Sequence, residues 1–326
     1  MSGPAPFFSV VVPTLNRPLL LRRTLDSIAR QSCGDFEVIV VDDGSTGDAL
    51  QAMQAIAGEY DPRFIFVWRE TRSGARGPAG ARNSGITQAI GSYVTFLDDD
   101  DYWSDAAHLD VARNALTLFP DVDLYLADQI ALRGETCVMP HWLPQLERVI
   151  RGRTCISQPD VHAVSHKDLL QPGGIGFAHV NITIAKRDTL ARMGRFWEET
   201  AHEEDLEFFL RLADASSAIL YRASPVSVQS VRDPNDLSGV SNLSEESRLL
   251  FRMLDCQRVL LNCRRPEVLM YARLLLAGAL KTLAKRCHRS GQPHLAREFA
   301  CQAASLDRGP KWMCIAAYMG LRAWLS

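Results

Sequence analysis

The sequence predicts an α/β protein: a mostly parallel sheet flanked by helices, followed by an all-helical C-terminal extension. Three observations carry this. Short β-branched runs alternate with stretches of helical periodicity over the first hundred residues, the pattern of parallel strands joined by helical crossovers. One apolar run, Tyr93-Val94-Thr95-Phe96-Leu97, ends abruptly in Asp98-Asp99-Asp100-Asp101. From Leu243 onward only amphipathic helical patterns remain.

Phe7 to Pro13 reads as a first buried strand, stopped by its proline, and Leu19 to Gln31 as a helix with Leu21, Leu25 and Ile28 on one face. Phe36 to Val41 is a second strand, ending in Asp42-Asp43-Gly44-Ser45. A helix over Asp48 to Tyr60 and a strand over Phe64 to Trp68 follow. The glycine-rich stretch Gly74 to Gly85 is expected as a loop that becomes helical after Pro78 and runs to Ala89. It is neither a Walker A loop nor a dinucleotide fingerprint. Val94 to Leu97 is the fourth strand, Asp105 to Phe119 a helix and Asp123 to Ile130 a further strand. Residues 134 to 175, interrupted by Pro140, Pro144, Pro159 and Pro172, carry no readable pattern. Ile182 to Ala185 is expected as a short strand, Asp188 to Met193 as a helix, and Leu206, Phe209, Leu210 and Ala213 as one face of another.

Composition is that of an ordinary globular chain: 326 residues, 47% hydrophobic, 23% charged, net charge −2. That length suits one large domain or two modest ones, and the overall charge gives no reason to expect nucleic acid as a partner. The 8 cysteines form no CxxC pair, and their scatter fits a reducing cytosol. Met1 to Pro6 lacks the basic and apolar segments of a signal peptide, and no window reaches the ~18 apolar residues of a membrane span. A cytoplasmic location follows as the expectation. Charge is uneven, however. Leu243 to Ser326 holds 14 Lys and Arg against 6 Asp and Glu, an asymmetry that signals a surface partner.

Four adjacent carboxylates at a strand end repel one another and raise each other's pKa. A divalent cation removes that conflict, and Mg²⁺ or Mn²⁺ takes carboxylate oxygens while leaving positions for phosphates. The acidic run therefore reads as a metal–diphosphate site at Asp98 to Asp100, or else as a solvated acidic turn. Glu203, Glu204 and Asp205 fall in the first turn of a helix, where the macrodipole favours negative charge with or without a function.

Together these pieces resemble a known family. Ser9 to Arg17, Val38 to Ser45, Gly80 to Ile86, Phe96 to Asp101, and Glu204-Asp205 before Leu210-Arg211-Leu212 match, in order, the motifs of family 2 inverting glycosyltransferases of GT-A fold. The resemblance covers roughly residues 7 to 230. It implies that Pro13, Thr14 and Asn16 end the first strand against a nucleotide, and that Asp43 accepts a hydrogen bond from the base. A carboxylate suits an N–H donor there. It also implies that Arg82 lies near phosphate or base, and that Asp98 and Asp99 belong to the donor site. Asp98 and Asp100 would then hold Mn²⁺ or Mg²⁺, two extra acids making the ligand set less clear. Asp205 matches the general base, with Glu204 as fallback and Glu203 a weaker one. The partners implied are a nucleotide-sugar donor, UDP favoured, and a glycan or lipid-linked acceptor in surface polysaccharide or glycolipid synthesis.

Residues 1–235 are thus expected as the nucleotide-sugar-binding and catalytic domain, and 236–326 as a helical subdomain joined through the Asp233 to Ser244 linker. The subdomain reads either as a cap or homodimer interface, or as a basic surface resting on an anionic membrane. Trp103 reads as stacking on sugar or as core packing, and His202 as an acceptor contact or a helix cap. A degenerate GT-A domain that only binds sugar or a partner is the alternative. A sugar-phosphate nucleotidyltransferase is weaker, because Pro13-Thr14-Leu15-Asn16 stands where its glycine-rich loop would be.

Overall fold

Phe8–Thr14 forms β1, buried along its whole length, because β-branched residues pack on both faces of a central strand. The structure is a computed structural model that describes residues 5–69, 77–157, 159–171, 177–200, 202–231 and 243–325. Helix α1 (Pro18–Ala29) starts on a proline, whose missing N–H costs nothing in a first turn. Then come β2 (Phe36–Asp42), α2 (Gly47–Ala57), β3 (Phe64–Trp68), α3 (Gly77–Gln88) and β4 (Tyr93–Phe96). The expected β-α-β-α-β order is met. The Gly74 to Arg76 part of the glycine-rich stretch lies outside the described residues, and Gly77 onward is helical as expected.

The chain continues through β5 (Tyr102–Trp103), α4 (His108–Leu118), β6 (Leu124–Arg133) and β7 (Thr136–Met139). Next are α5 (Pro144–Ile150), β8 (Val161–Val164), α6 (His166–Leu169), β9 (Thr183–Lys186), α7 (Arg187–Met193), α8 (Glu204–Ala215) and β10 (Ile219–Ser230). The sheet runs β3-β2-β1-β4-β9-β6-β10-β5, with β7 on β6 and β8 on β10. Strands β1, β2, β3, β4, β6 and β10 share one direction; β5, β7, β8 and β9 run against it. The α/β class with helices flanking the sheet is therefore met, and antiparallel β9 is wedged between β4 and β6.

Strand β10 has no counterpart among the elements expected from the sequence. Arg222, Ser224 and Pro225 break its apolar pattern, and its register on β6 shifts on both sides of Pro225. Proline lacks the ladder N–H and is tolerated only at such an irregularity.

After β3 the chain returns to the other side of β1, so the strand order reverses between β1 and β4. Open α/β sheets bind ligands at the carboxyl ends of strands beside such a reversal. Thr14 and Asp98 stand there. Helix α3 lies close on β1 because Gly85 carries no side chain: a Cβ would sit 2.3 Å from Val11 Cγ1.

By its contacts the chain divides into two units, Met1–Glu199 with Ala215–Asp236, and Thr200–Asp214 with Leu237–Ser326. The second unit differs from the expected 236–326 subdomain in taking Thr200–Asp214 as well. Its helices are α8, α9 (Glu245–Asn262), α10 (Pro266–Arg289), α11 (Pro293–Leu306) and α12 (Pro310–Trp324). Most of the Asp233 to Ser244 linker lies outside the described residues; Ser244 caps α9 by accepting from Ser247 N at 3.1 Å. Alanines at 284, 296, 300, 303 and 316 bring α10, α11 and α12 together around Trp312, Met319 and Leu280.

Candidate active site

The acidic run is a turn. Asp101 N donates to Asp98 O at 3.1 Å, so residues three apart share a side, while Asp99 and Asp100 occupy the corner. Asp98 Oδ1 accepts from Arg82 Nη2 at 2.6 Å, and its Oδ2 lies 3.8 Å from His179 Nε2. Asp99 turns inward, accepting from Thr14 Oγ1 at 2.8 Å and from Arg17 Nη1 at 3.1 Å. The same Arg17 Nη1 reaches Asp100 Oδ2 at 3.1 Å. Asp101 is buried, its carboxylate accepting from Ser230 N at 2.7 Å and Asn181 Nδ2 at 2.6 Å. Thr24 Oγ1 donates to Asp101 O at 2.6 Å, anchoring the turn on α1.

The electrostatics divide the four acids. Burial raises Asp98, but Arg82 and His179 outweigh it and hold the carboxyl below its ordinary value. Burial pushes Asp99 up to about 6 against the pull of Arg17. Burial, then the charges of Asp100 and Asp98, push Asp101 well above the usual carboxylate range.

Among the described residues, Asp98, Asp101 and His179 offer ligand atoms within 4.8 Å of one another. Two carboxylate oxygens and an imidazole fit a divalent cation chemically. The expected pair was Asp98 and Asp100. Asp100 is not in this cluster, because the turn aims it at Arg17, and Asp101 stands in the cluster instead. Asp99, expected at the donor, is buried and accepts from Thr14, itself expected there, and from Arg17.

The other expected residues lie as follows. Pro13 and Thr14 close β1, and Asp43 N donates to Thr14 O at 2.9 Å. Asn16 adopts φ 55°, accepts from Thr46 N at 3.0 Å through Oδ1 and donates its own N–H to Ser45 Oγ at 2.7 Å. It thereby joins the loop after β1 to the loop after β2. Asp43 is buried and paired with Arg69. Arg82 is buried on α3, its guanidinium 5.4 Å from the Phe196 ring centroid. Glu204 and Asp205 open α8 in the second unit, Asp205 Oδ1 accepting from Leu206 N at 2.9 Å. His202 Nε2 lies 3.6 Å from Glu203 Oε1. Trp103 is a core residue: 3% exposed, with Nε1 on Asn181 O at 3.0 Å.

Sequence reasoning missed Arg17, Arg69, His179 and Asn181. His179 and Asn181 precede β9 in a stretch without periodicity, so nothing local marked them. Trp142 packs edge-on to His179 with ring centroids 5.7 Å apart. Its segment is fixed by Asp128, which accepts from Trp142 N at 2.8 Å and pairs with His141 Nδ1 at 2.7 Å.

The strand-order reversal thus carries an acidic turn, a buried arginine and a histidine, within a fold of GT-A type. Residues 9–130 match the family model described as Glycosyl transferase family 2, and the chain carries a domain of that family. A PGL/p-HBAD biosynthesis glycosyltransferase of Mycobacterium bovis is 43% identical over 97 residues, 30% of this chain and 36% of that protein. A GalNAc(5)-diNAcBac-PP-undecaprenol β-1,3-glucosyltransferase of Campylobacter jejuni is 42% identical over 96 residues, 29% of this chain and 30% of that one. The match thus spans about a third of each curated relative. In fold, the chain is similar to S. aureus TarS 1–349 in complex with UDP, with TM-score 0.66 and 19% identity over 97% of this chain and 88% of that one. It is also similar to the mannosyltransferase PcManGT from Pyrobaculum calidifontis in complex with GDP-Man and Mn²⁺, with TM-score 0.56 and 20% identity over 98% and 86%.

Proposed function

We propose that this chain is an inverting glycosyltransferase that moves a sugar from a nucleoside-diphosphate donor, UDP favoured, to an acceptor hydroxyl. The observation that carries the reading is the convergence of Thr14, Arg82, Asp98, Asp101 and His179 at the reversal between β1 and β4. The family domain and the UDP and GDP-Man complexes of neighbours in fold support it.

Asp98, Asp101 and His179 would hold a divalent cation. The imidazole favours Mn²⁺ over Mg²⁺, which prefers oxygen alone. Such an ion, when bound, supplies Lewis-acid stabilisation of charge on a departing diphosphate. Arg82 holds Asp98 ionised and adds positive charge beside it. Asp43 offers its carboxylate to a base N–H, exchanging its Arg69 partner for it. Asp205 takes the acceptor proton, with Glu204 as fallback. The acceptor oxygen bonds to the anomeric carbon as the bond to diphosphate breaks, and attack from the opposite face inverts configuration.

The acceptor proposed is a glycan or lipid-linked saccharide, in line with the undecaprenol-linked substrate in one relative's name. The site of action proposed is the cytoplasm, at the inner membrane face. No helix among the described residues is long and apolar enough to cross a membrane. Helix α12, however, leaves Cys314, Ala317, Tyr318, Leu321, Trp324 and Leu325 exposed beside Lys311 and Arg322. An apolar stripe with flanking cations suits the surface of an anionic bilayer.

The deciding experiment is a thermal-shift series with UDP, UDP-glucose, UDP-N-acetylglucosamine and GDP-mannose, each with and without Mn²⁺. A ligand that binds only the native state raises the melting temperature. A Mn²⁺-dependent shift with UDP and one sugar nucleotide is expected; no shift with any of them overturns the reading. Asp205→Asn is expected to keep that shift and lose transfer.

A further inference from the structure

We propose that Arg252 is a positioning residue for the acidic segment at the start of α8, acting through Glu203; the proposal rests on the reading of Asp205 as the base. Glu203 has φ 59° and, with Asn16, is one of two non-glycine residues in the left-handed region among the described residues. That conformation is strained for a residue with a side chain and persists only where surroundings impose it. Here Arg252 imposes it. Its Nε donates to Glu203 Oε2 at 2.7 Å and its Nη2 to Glu203 Oε1, a two-point grip by a planar fork. So held, Glu203 turns its carbonyl onto Leu206 N at 3.0 Å and Glu207 N at 3.3 Å, closing the first turn of α8.

One turn further, Glu207 is fully buried and gripped in its turn. Arg211 Nε and Nη2 each reach it at 2.7 Å, and Arg258 Nε at 2.8 Å. Arg252 and Arg258, six residues apart on α9, each reach one of these glutamates. Glu204 and Asp205 therefore stand between two glutamates that α9 anchors. Asp255 lies between those arginines, 1% exposed, with Oδ1 lacking a hydrogen-bond partner among the described residues. Burial, then the charges of Glu207 and Glu203, push its carboxyl up to about 8. It is thus largely neutral at pH 7, and does not compete with the two glutamates for the arginines.

Helix stability alone does not ask for this arrangement. A Ser, Thr, Asp or Asn at the cap would start α8 without a left-handed glutamate or a distant arginine. Local rules broken at a cost and repaired from another element mark a position selected for geometry.

The test is a double-mutant cycle, read as UDP released from UDP-glucose or UDP-N-acetylglucosamine in Mn²⁺ with water as acceptor, alongside UDP affinity by calorimetry. Arg252→Met is expected to lower kcat about 10- to 100-fold with UDP affinity unchanged. Arg252→Lys, which keeps charge but not the fork, should fall between. In an Asp205→Asn background, Arg252→Met should cost nothing more. Multiplying losses, or unaltered kcat in Arg252→Met, overturn the proposal. Wild-type turnover by Asp205→Asn overturns instead the reading of Asp205 as base. Should Arg252→Met not fold, Glu203→Gln removes the ion pair with little change of shape and must show the same kcat loss.

Discussion

Arg82 Nη2 donates to Asp98 Oδ1 at 2.6 Å, joining helix α3 to the loop after β4 through a pair in which the arginine is almost wholly buried. The pair does two things at once. It fixes the first acid of the turn, and with His179 it holds that acid below its ordinary pKa against the upward push of burial. Arg82→Met strands the Asp98 charge. Breaking such a pair from one side costs about 3–5 kcal/mol. Chemical denaturation should show a loss of that order, and calorimetry at least tenfold weaker UDP binding in Mn²⁺.

The turn geometry separates its acids by function. His179→Gln and Asp98→Asn should abolish the Mn²⁺-dependent rise in melting temperature, whereas Asp100→Asn, outside the ligand cluster, should retain it. The opposite ranking would restore Asp100 as the metal ligand.

Asp255 sets a pH dependence. Its folded pKa of about 8 exceeds the ordinary 3.8, so the native state binds the proton more tightly than the unfolded chain does. Stability from this group is then full below about pH 4 and is lost as pH rises towards 8. Asp255→Asn should flatten that decline. Melting measured at pH 5 and pH 8 should show the variant gaining on the wild type at the higher pH.

Two glycines are packing requirements. A Cβ at Gly91 would lie 2.7 Å from Phe8 C and Ser9 N, backbone atoms that cannot swing aside. At Gly85 it would fall on the Val11 side chain, fully buried and stiff at χ1. Gly91→Ala and Gly85→Ala should therefore each destabilise by about 1–3 kcal/mol, as overpacking typically costs. Urea midpoints test both.

The outward face of α12 is separable from its core face, where Trp312, Ala316, Met319 and Ala323 are buried. Leu321→Ser with Trp324→Ser, the latter 80% exposed in the wild type, should leave the melting temperature unchanged. Sedimentation with vesicles of phosphatidylglycerol should fall several-fold if that face meets the membrane; equal binding would remove α12 from the role.

Much of the fold is legible in the order of the amino acids. Strands β1 and β2 show as continuous apolar runs because both their faces are buried, and the helices after Ser244 show because each buries one face at helical spacing. Strand β10 is hidden because Pro225 sits at a register shift, an irregularity that only its pairing with β6 explains. The described residues between 134 and 157 are hidden for a related reason: polar anchors such as Asp128 on Trp142 N hold them, not apolar repetition.

The amino-acid sequence by itself determined the fold class, the succession of strands and helices from β1 to β4 and the acidic run at the end of β4, because those follow from short-range spacing. Only the tertiary structure decided which acids face which partners. The turn pairs Asp98 with Asp101 and consigns Asp99 to Thr14, β9 brings His179 to Asp98, and α9 brings Arg252 to Glu203. Apart from the turn itself, these are contacts between residues far apart in the chain, and the direction of a side chain at such a contact is fixed by packing that no local pattern encodes.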